Sequence, residues 1–408
     1  DAAPDGPPVA PDGPTAAPDG APRSDVTAGF VPAGGDTVWA RLGRALPDQP
    51  LARHVVLAVA AGIALYFVTA HIGAYNDFDV AQIAVYVIAI AGLTVLTGGN
   101  GQISLGHGAL MAVGAYTTAL LMAHTPVPLG VEILAGGVIG AVFGLVIGPV
   151  AARLRGPYLA GVTLALALAL PEVAVRWQSL FGGEQGIPVN PPTAPGTMAE
   201  EQWLSWICLI GALAVLVLLA NLNRSRFGRA FRAVRDDEIA ASLAGINVAR
   251  TQVLAFVVSS ACAGWAGSLL ALGTAVVNPG GFTVALSIEL LAGMVIGGTG
   301  SLVGACWGGL VLVLVPRWST SLSNSLGLST GVRSNLALVI FGAVLIAVMI
   351  LAPSGIQGAV QRVLGLRRAP VKKLLDVRRP QGAAGDDAQA EGVSLLDRPT
   401  SRGGMHAK

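Results

Sequence analysis

Apolar runs long enough to cross a bilayer recur along this 408-residue chain, and no other feature restricts its fold as strongly. A helix rises about 1.5 Å per residue, so about 20 apolar residues span a hydrocarbon layer of roughly 30 Å. Inside that layer every backbone N–H and C=O must be paired within the protein, which leaves only helices and closed barrels. A barrel would show alternating segments of about ten residues, whereas these runs are longer and apolar throughout. A composition of 53% hydrophobic and 12% charged residues excludes a soluble globular domain. The chain therefore reads as all-α: a polytopic transmembrane helix bundle.

Candidate spans lie near residues 54–74, 80–97, 103–123, 130–150, 158–175, 203–220, 251–273, 284–297, 302–316 and 335–352. The eighth and ninth are short for a full crossing and are expected either to span or to form a re-entrant pair, so about 8–10 spans result. Cationic residues set the orientation. With the amino terminus inside, the inner flanks carry Arg41, Arg44 and Arg53, then Arg153 and Arg155. The island Arg224–Arg250 and the segment Arg362–Lys373 add the rest, while the outer connections carry only Arg176, Arg317 and Arg333. Both termini are thus expected in the cytoplasm. Asn76-Asp77-Phe78-Asp79 and 176–202 are expected as outer loops, with Glu132 and Glu172 at the outer interface.

Residues 1–50 form a Pro/Ala/Gly/Asp-rich tail in which APDG recurs at Ala3, Ala10 and Ala17. Such a segment buries too little apolar surface to offset its ordering entropy and is expected to be disordered. It lacks the basic start and apolar core of a signal peptide. The membrane-spanning body covers 51–356. Residues 357–408 are basic and then polar, expected to be disordered, with the basic part suited to anionic membrane lipid.

The polar loop 223–250 interrupts this pattern. Within Phe227–Val248, FGRAFRAVRDDEIAASLAGINV, helical spacing places Phe227, Phe231, Val234, Leu243 and Ile246 near one stripe. Arg232 can pair with Asp236 and Arg235 with Glu238. A short amphipathic helix presenting charge to the cytoplasm is a handle for a soluble partner.

Glycine placement is the other signal. Gly136, Gly140, Gly144 and Gly148, like Gly300, Gly304 and Gly308, recur every fourth residue, the spacing that lets membrane helices approach closely. Two clusters, Gly98–Gly106 and Gly297–Leu302, break apolar helices. Broken helices free backbone dipoles and often mark a solute path, so Asn100, Gln102, Ser104 and Thr299 are candidate path residues. Ordinary loops at the cytoplasmic face are the competing reading. Glu289, inside the eighth span, either meets the amino group of a solute or snorkels or pairs structurally.

Several classes are excluded. Lys372, Lys373 and Lys408 are the only lysines and none follows a glycine, so no Walker A loop exists. No histidines share metal-ligand spacing, and no catalytic residues are expected. Cys208, Cys262 and Cys306 sit singly in apolar runs as inert thiols. The net charge of +2 gives no basis for nucleic-acid binding.

The runs LTGGNGQISLGHGALMAVGAYTTALL (96–121), LRGPYLAGVTLALALAL (154–170) and GGEQGI (182–187) resemble one family, the branched-chain amino acid ABC transporter permeases of the LivM type. The central FGRAFRAVRDDEIAASLAGINV and PGGFTVALSIELLAGMVIGGTGSLVGACWGG (279–309) continue the match in order. The resemblance implies a bacterial plasma (inner) membrane subunit and not an enzyme. It implies a LivH-type second permease subunit, two cytoplasmic ABC ATPase subunits that bind the ATP, and an extracytoplasmic solute-binding protein. No cofactor is implied on this chain. Its cytoplasmic loop would dock in the ATPase, which assigns coupling to Arg229, Arg232, Asp236, Asp237, Glu238, Ala240, Ala241 and Gly245. Ala240, Ala241 and Gly245 match the general importer pattern of Glu-Ala-Ala, three residues, then Gly. Ile239 holds the Glu position, and Glu238 precedes it by one. Related permeases carry urea, short amides or other amino acids. An ion-coupled secondary transporter would be expected to keep paired buried acidic residues, for which only Glu289 is a candidate.

Overall fold

The computed structural model describes residues 74–363, apart from Arg155, Pro192, Thr197, 326–329 and Pro353, together with a few positions between 55 and 63. The two tails and most of the first expected span lie outside the described residues. Helices α1 (Ala74–Leu93), α2 (His107–His124), α3 (Leu129–Ala151) and α4 (Pro157–Arg176) come first, followed by the one-turn α5 (Gln178–Phe181) and strand β1 (Ile187–Pro188). Then follow α6 (Glu200–Arg224), α7 (Arg226–Asp236), α8 (Glu238–Leu243), α9 (Val248–Gly273) and strand β2 (Val276–Val277). Helices α10 (Val284–Gly297), α11 (Leu302–Ser325), α12 (Thr330–Leu351) and α13 (Gly355–Val363) complete the described body.

Among the described residues, seven helices are long and apolar enough to cross a membrane. An eighth arises if Gly342–Leu351 and Gly355–Val363, bent by 42°, count as one span. The all-helical expectation stands. The ninth span, expected to end at 316, runs further: α11 carries Pro316 inside a 24-residue helix, because a proline removes one backbone bond without ending a helix whose neighbours hold it.

Glycine decides how the helices pair. The stripe on α3 faces α9. A Cβ on Gly140 would lie 2.6 Å from the Ser260 carbonyl oxygen, and one on Gly144 would lie 2.7 Å from the Ser260 side chain. Gly264 on α9 returns the contact, since its Cβ would run into the backbone of Gly136. In lipid the hydrophobic effect does not choose helix partners, so close backbone approach does. The second stripe works the same way: Gly297 lies against Gly304 and Gly308 against Gly293, which packs α10 on α11. Helix α2 is buried nearly all round, and the buried ring of His107 donates from Nε2 to the carbonyl of Ala89 at 3.0 Å.

The connections expected outside meet one another. β1 pairs antiparallel with β2 through Ile187–Val277 and Pro188–Val276. Phe181 packs edge-on to Tyr116 at 5.2 Å, and Phe282 tilts against the same ring at 6.5 Å. The 176–202 connection is thus partly ordered by α5 and β1. Asn76–Asp79, expected as a loop, lies within the first two turns of α1. Arg317 inside α11 pairs there with Asp79 and donates to Asn76 Oδ1 at 2.6 Å. Glu132, expected at the interface, is buried against α2, and its carbonyl accepts from the Thr118 hydroxyl.

Candidate functional site: the charged loop and the glycine breaks

The loop between α6 and α9 is two helices rather than one. Ser225 starts α7, its hydroxyl accepting from the Phe227 N–H at 3.1 Å. Asp237 then leaves helical geometry at φ −160° and caps α8, its Oδ1 accepting from Ile239 N–H at 2.8 Å and Ala240 N–H at 3.0 Å. Gly245 closes α8 in the left-handed conformation at φ +81°, with Ile246 N–H reaching back to the Ala241 carbonyl at 3.0 Å. Asn247 caps α9 through Arg250 N–H at 3.0 Å.

This break overturns the single stripe expected from helical spacing. Phe231 and Val234 are buried and root α7 in the bundle. Beyond Asp237 the register restarts, so Leu243 is 84% exposed and Ile239 73% exposed. The expected ion pairs change for the same reason. Glu238 belongs to the new helix and accepts from Gln252 Nε2 at 2.9 Å. Arg235 instead grips its neighbour Asp236, with Nε and Nη2 reaching Oδ1 at 3.0 and 2.8 Å.

Arg229 and Arg232 donate to the carbonyls of Arg224 and Asn223 at 3.1 and 3.0 Å. These carbonyls lie at the end of α6, where no helical donor remains. Both arginines therefore pin α7 to α6. Ala241 is buried, while Ala240 faces solvent.

The first glycine break follows a turn of π-helix at Thr94–Gly99. Asn100 and Ser104 are buried, as is Gln102, and among the described residues neither side-chain atom of Asn100 nor Gln102 Oε1 has a partner. Ser104 Oγ accepts weakly from Gly106 N–H at 3.3 Å. Leu105 N–H donates to Thr163 Oγ1 on α4, and Gly108 N–H to Ser287 Oγ on α10, both at 2.9 Å.

The two glycine breaks touch. A Cβ on Gly98 would press on the backbone of Gly300, with the carbonyl carbon of Thr299 at 3.4 Å. The structure so brings the Asn100–Ser104 segment and the exposed Thr299 to one face, the face that holds α7. Glu289 is apart: the helical residues from 289 to 297 place it about 12 Å further along α10. It is half-buried there.

Arg235 was missed as a site residue by sequence reasoning. Its Nη1 donates to the Gly98 carbonyl at 2.7 Å, joining the loop to the first break. The double aspartate at 236–237 was the readable hint, since an aspartate that caps a new helix resets the partners on either side of it.

A family profile described as branched-chain amino acid transport system, permease component, matches residues 77–349. The chain is 30% identical over 320 residues to the high-affinity branched-chain amino acid transport system permease protein LivM of Escherichia coli K12, covering 72% of this chain and 73% of that protein. It is 32% identical over 300 residues to the corresponding LivH protein of Salmonella typhimurium, covering 67% and 91%. A probable branched-chain amino acid transport permease LivM of Methanocaldococcus jannaschii is 26% identical over 246 residues, covering 58% of this chain and 71% of that protein. No solved structure matches the chain.

Proposed function

The chain belongs to the family of permease components of branched-chain amino acid transport systems, and from that membership we propose that it pairs with a second, LivH-type permease to form the route for leucine, isoleucine and valine. Two cytoplasmic ATPase subunits drive the route, and an extracytoplasmic binding protein delivers the solute. The chain sits in the bacterial plasma membrane and binds no nucleotide itself.

One observation carries the reading. Ile239 and Leu243, four residues apart on α8, stand 73% and 84% exposed on a short helix held rigid by caps at both ends. Apolar side chains displayed at helical spacing on an ordered, otherwise charged loop fit the groove of a partner protein. Asp236 and Asp237, exposed immediately before α8, add charge at its edge.

The physics of the cargo points the same way. An amino-acid zwitterion cannot enter hydrocarbon without partners for its charges. The paired permeases supply a shielded route that opens to one side at a time, and nucleotide-driven closure of the ATPases selects between the two states. Asn100, Gln102, Ser104 and Thr299 are proposed to line the cytoplasmic end of that route, and Glu289 to lie further out along it.

The test is uptake of labelled leucine, with labelled urea in parallel, in cells with and without this chain, together with co-purification of an ATPase. Leucine uptake that needs both the chain and the ATPase supports the reading. Uptake of urea alone would reassign the cargo, and accumulation with no ATPase present would refute the class.

A further inference from the structure

We infer that Arg235 is the positioning residue through which the cytoplasmic loop holds the two glycine breaks against each other. This rests on the proposed coupling role of the loop and adds a defined path from it to the membrane helices.

The geometry is specific. The guanidinium is divided between two jobs. Nε and Nη2 lie on Asp236 Oδ1 at 3.0 and 2.8 Å, which fixes the plane of the group. Nη1 is left to donate to the Gly98 carbonyl at 2.7 Å, 137 residues away in sequence. Gly98 lies in the last turn of a helix, where carbonyls lack an intrahelical donor. A charged donor there makes a stronger bond than a neutral one.

Glycines make room for this contact and continue it across the breaks. Gly101 adopts φ +80°, and a Cβ there would lie 3.1 Å from Arg235 Cγ, so the arginine stem rests on bare backbone. On its other side Gly98 abuts the backbone of Gly300. Gly298, at φ +118°, in turn lies against the Gly355 backbone, and a Cβ on it would be 3.0 Å from the Ser354 carbonyl. A continuous set of contacts thus runs from the Arg235 side chain on α7 through Gly98 to the break between α10 and α11 and on to α13. Arg229 and Arg232, also on α7, donate instead to the end of α6. Among the described residues, the bond from Arg235 is the one by which the loop reaches a glycine break directly.

A displacement of α7 therefore pulls on the Gly98 carbonyl and alters the seat of Gly300. Tight backbone packing of this kind has few intermediate arrangements, which suits it to a two-position element.

The experiment uses the whole transporter, with this chain, the second permease, the ATPases and the binding protein, reconstituted in vesicles. ATP hydrolysis and labelled leucine uptake are measured together for wild type, R235A, R235K and G101V. R235A is expected to co-purify with the ATPases as wild type does and to retain basal hydrolysis. Its leucine transported per ATP should fall about tenfold, a typical size for a coupling free energy. R235K should recover part of the loss. G101V, which displaces the arginine stem without altering loop charge, should reproduce the uncoupling. Wild-type transport per ATP in R235A would overturn the inference, as would loss of ATPase binding with unchanged transport per ATP in whatever complex remains. If R235A does not fold, wild-type coupling in G101V overturns it equally. A wild-type complex that shows no ATP-dependent uptake would instead refute the functional reading on which the inference rests.

Discussion

Arg317, in the middle of α11, is ion-paired with Asp79 in the second turn of α1, although 238 positions separate them by their numbers. The guanidinium also donates to Asn76 Oδ1 at 2.6 Å, so one side chain closes the amino-terminal end of α1 onto α11. Both charges are largely sheltered, at 27% and 14% side-chain exposure. Removing one partner strands the other. D79N or R317M should therefore lower stability by about 1–3 kcal/mol, discounted from a fully buried pair for the remaining exposure. Thermal unfolding of the purified protein in detergent checks this. A melting curve identical to wild type would mean the pair holds nothing together.

The α3–α9 contact gives a prediction with its own control. Gly140→Ala places a methyl 2.6 Å from the Ser260 carbonyl oxygen, so the helices must part, at about 1–3 kcal/mol. Gly130→Ala, in the first turn of the same helix, meets nothing within 4 Å and should be neutral or mildly stabilising. Equal membrane levels and equal melting points for the two variants would contradict the packing account.

Asp237 is both the end of α7 and the start of α8. D237A should remove the cap at about 1 kcal/mol, and D237S should restore most of it. Hydrogen exchange at the amides of Ile239 and Ala240 reports this directly, because those two N–H groups are the ones that lose their acceptor. Protection unchanged in D237A would show that the cap is not what orders the loop.

Ile239 and Leu243 are so exposed that charging them should leave this chain's own folding intact. The double variant I239D/L243D is expected to reach the membrane at wild-type level and to fail to retain an ATPase on purification. Retention of an ATPase would move the docking surface elsewhere.

Gly245 has open space around its Cα, so the cost of replacing it is conformational rather than steric within this chain. At φ +81°, Gly245→Val should cost about 1–2 kcal/mol locally, whereas Gly245→Asn should be tolerated because asparagine enters the left-handed region more readily. Uptake by the valine variant should fall well below that of the asparagine variant at matched protein levels. Equal uptake would remove any special role for the residue.

Local composition was enough to determine the class of fold. Apolar runs of spanning length admit no other backbone solution in lipid, and the skew of arginines assigns loops to sides. The loops it groups as outer, 182–188 and 276–282, do pair, and those it groups as inner, at 98, 235 and 300, do touch. The regular glycine spacing also announced close-packed helices. What it could not say is which helix each stripe meets. Between helices in lipid no water is released to drive the choice, so pairing depends on how whole faces fit, and that is a property of two distant segments at once. The same reason hid Arg235. Read locally, it had acidic neighbours to pair with; only the folded bundle brings the unpaired carbonyl of Gly98 within its reach.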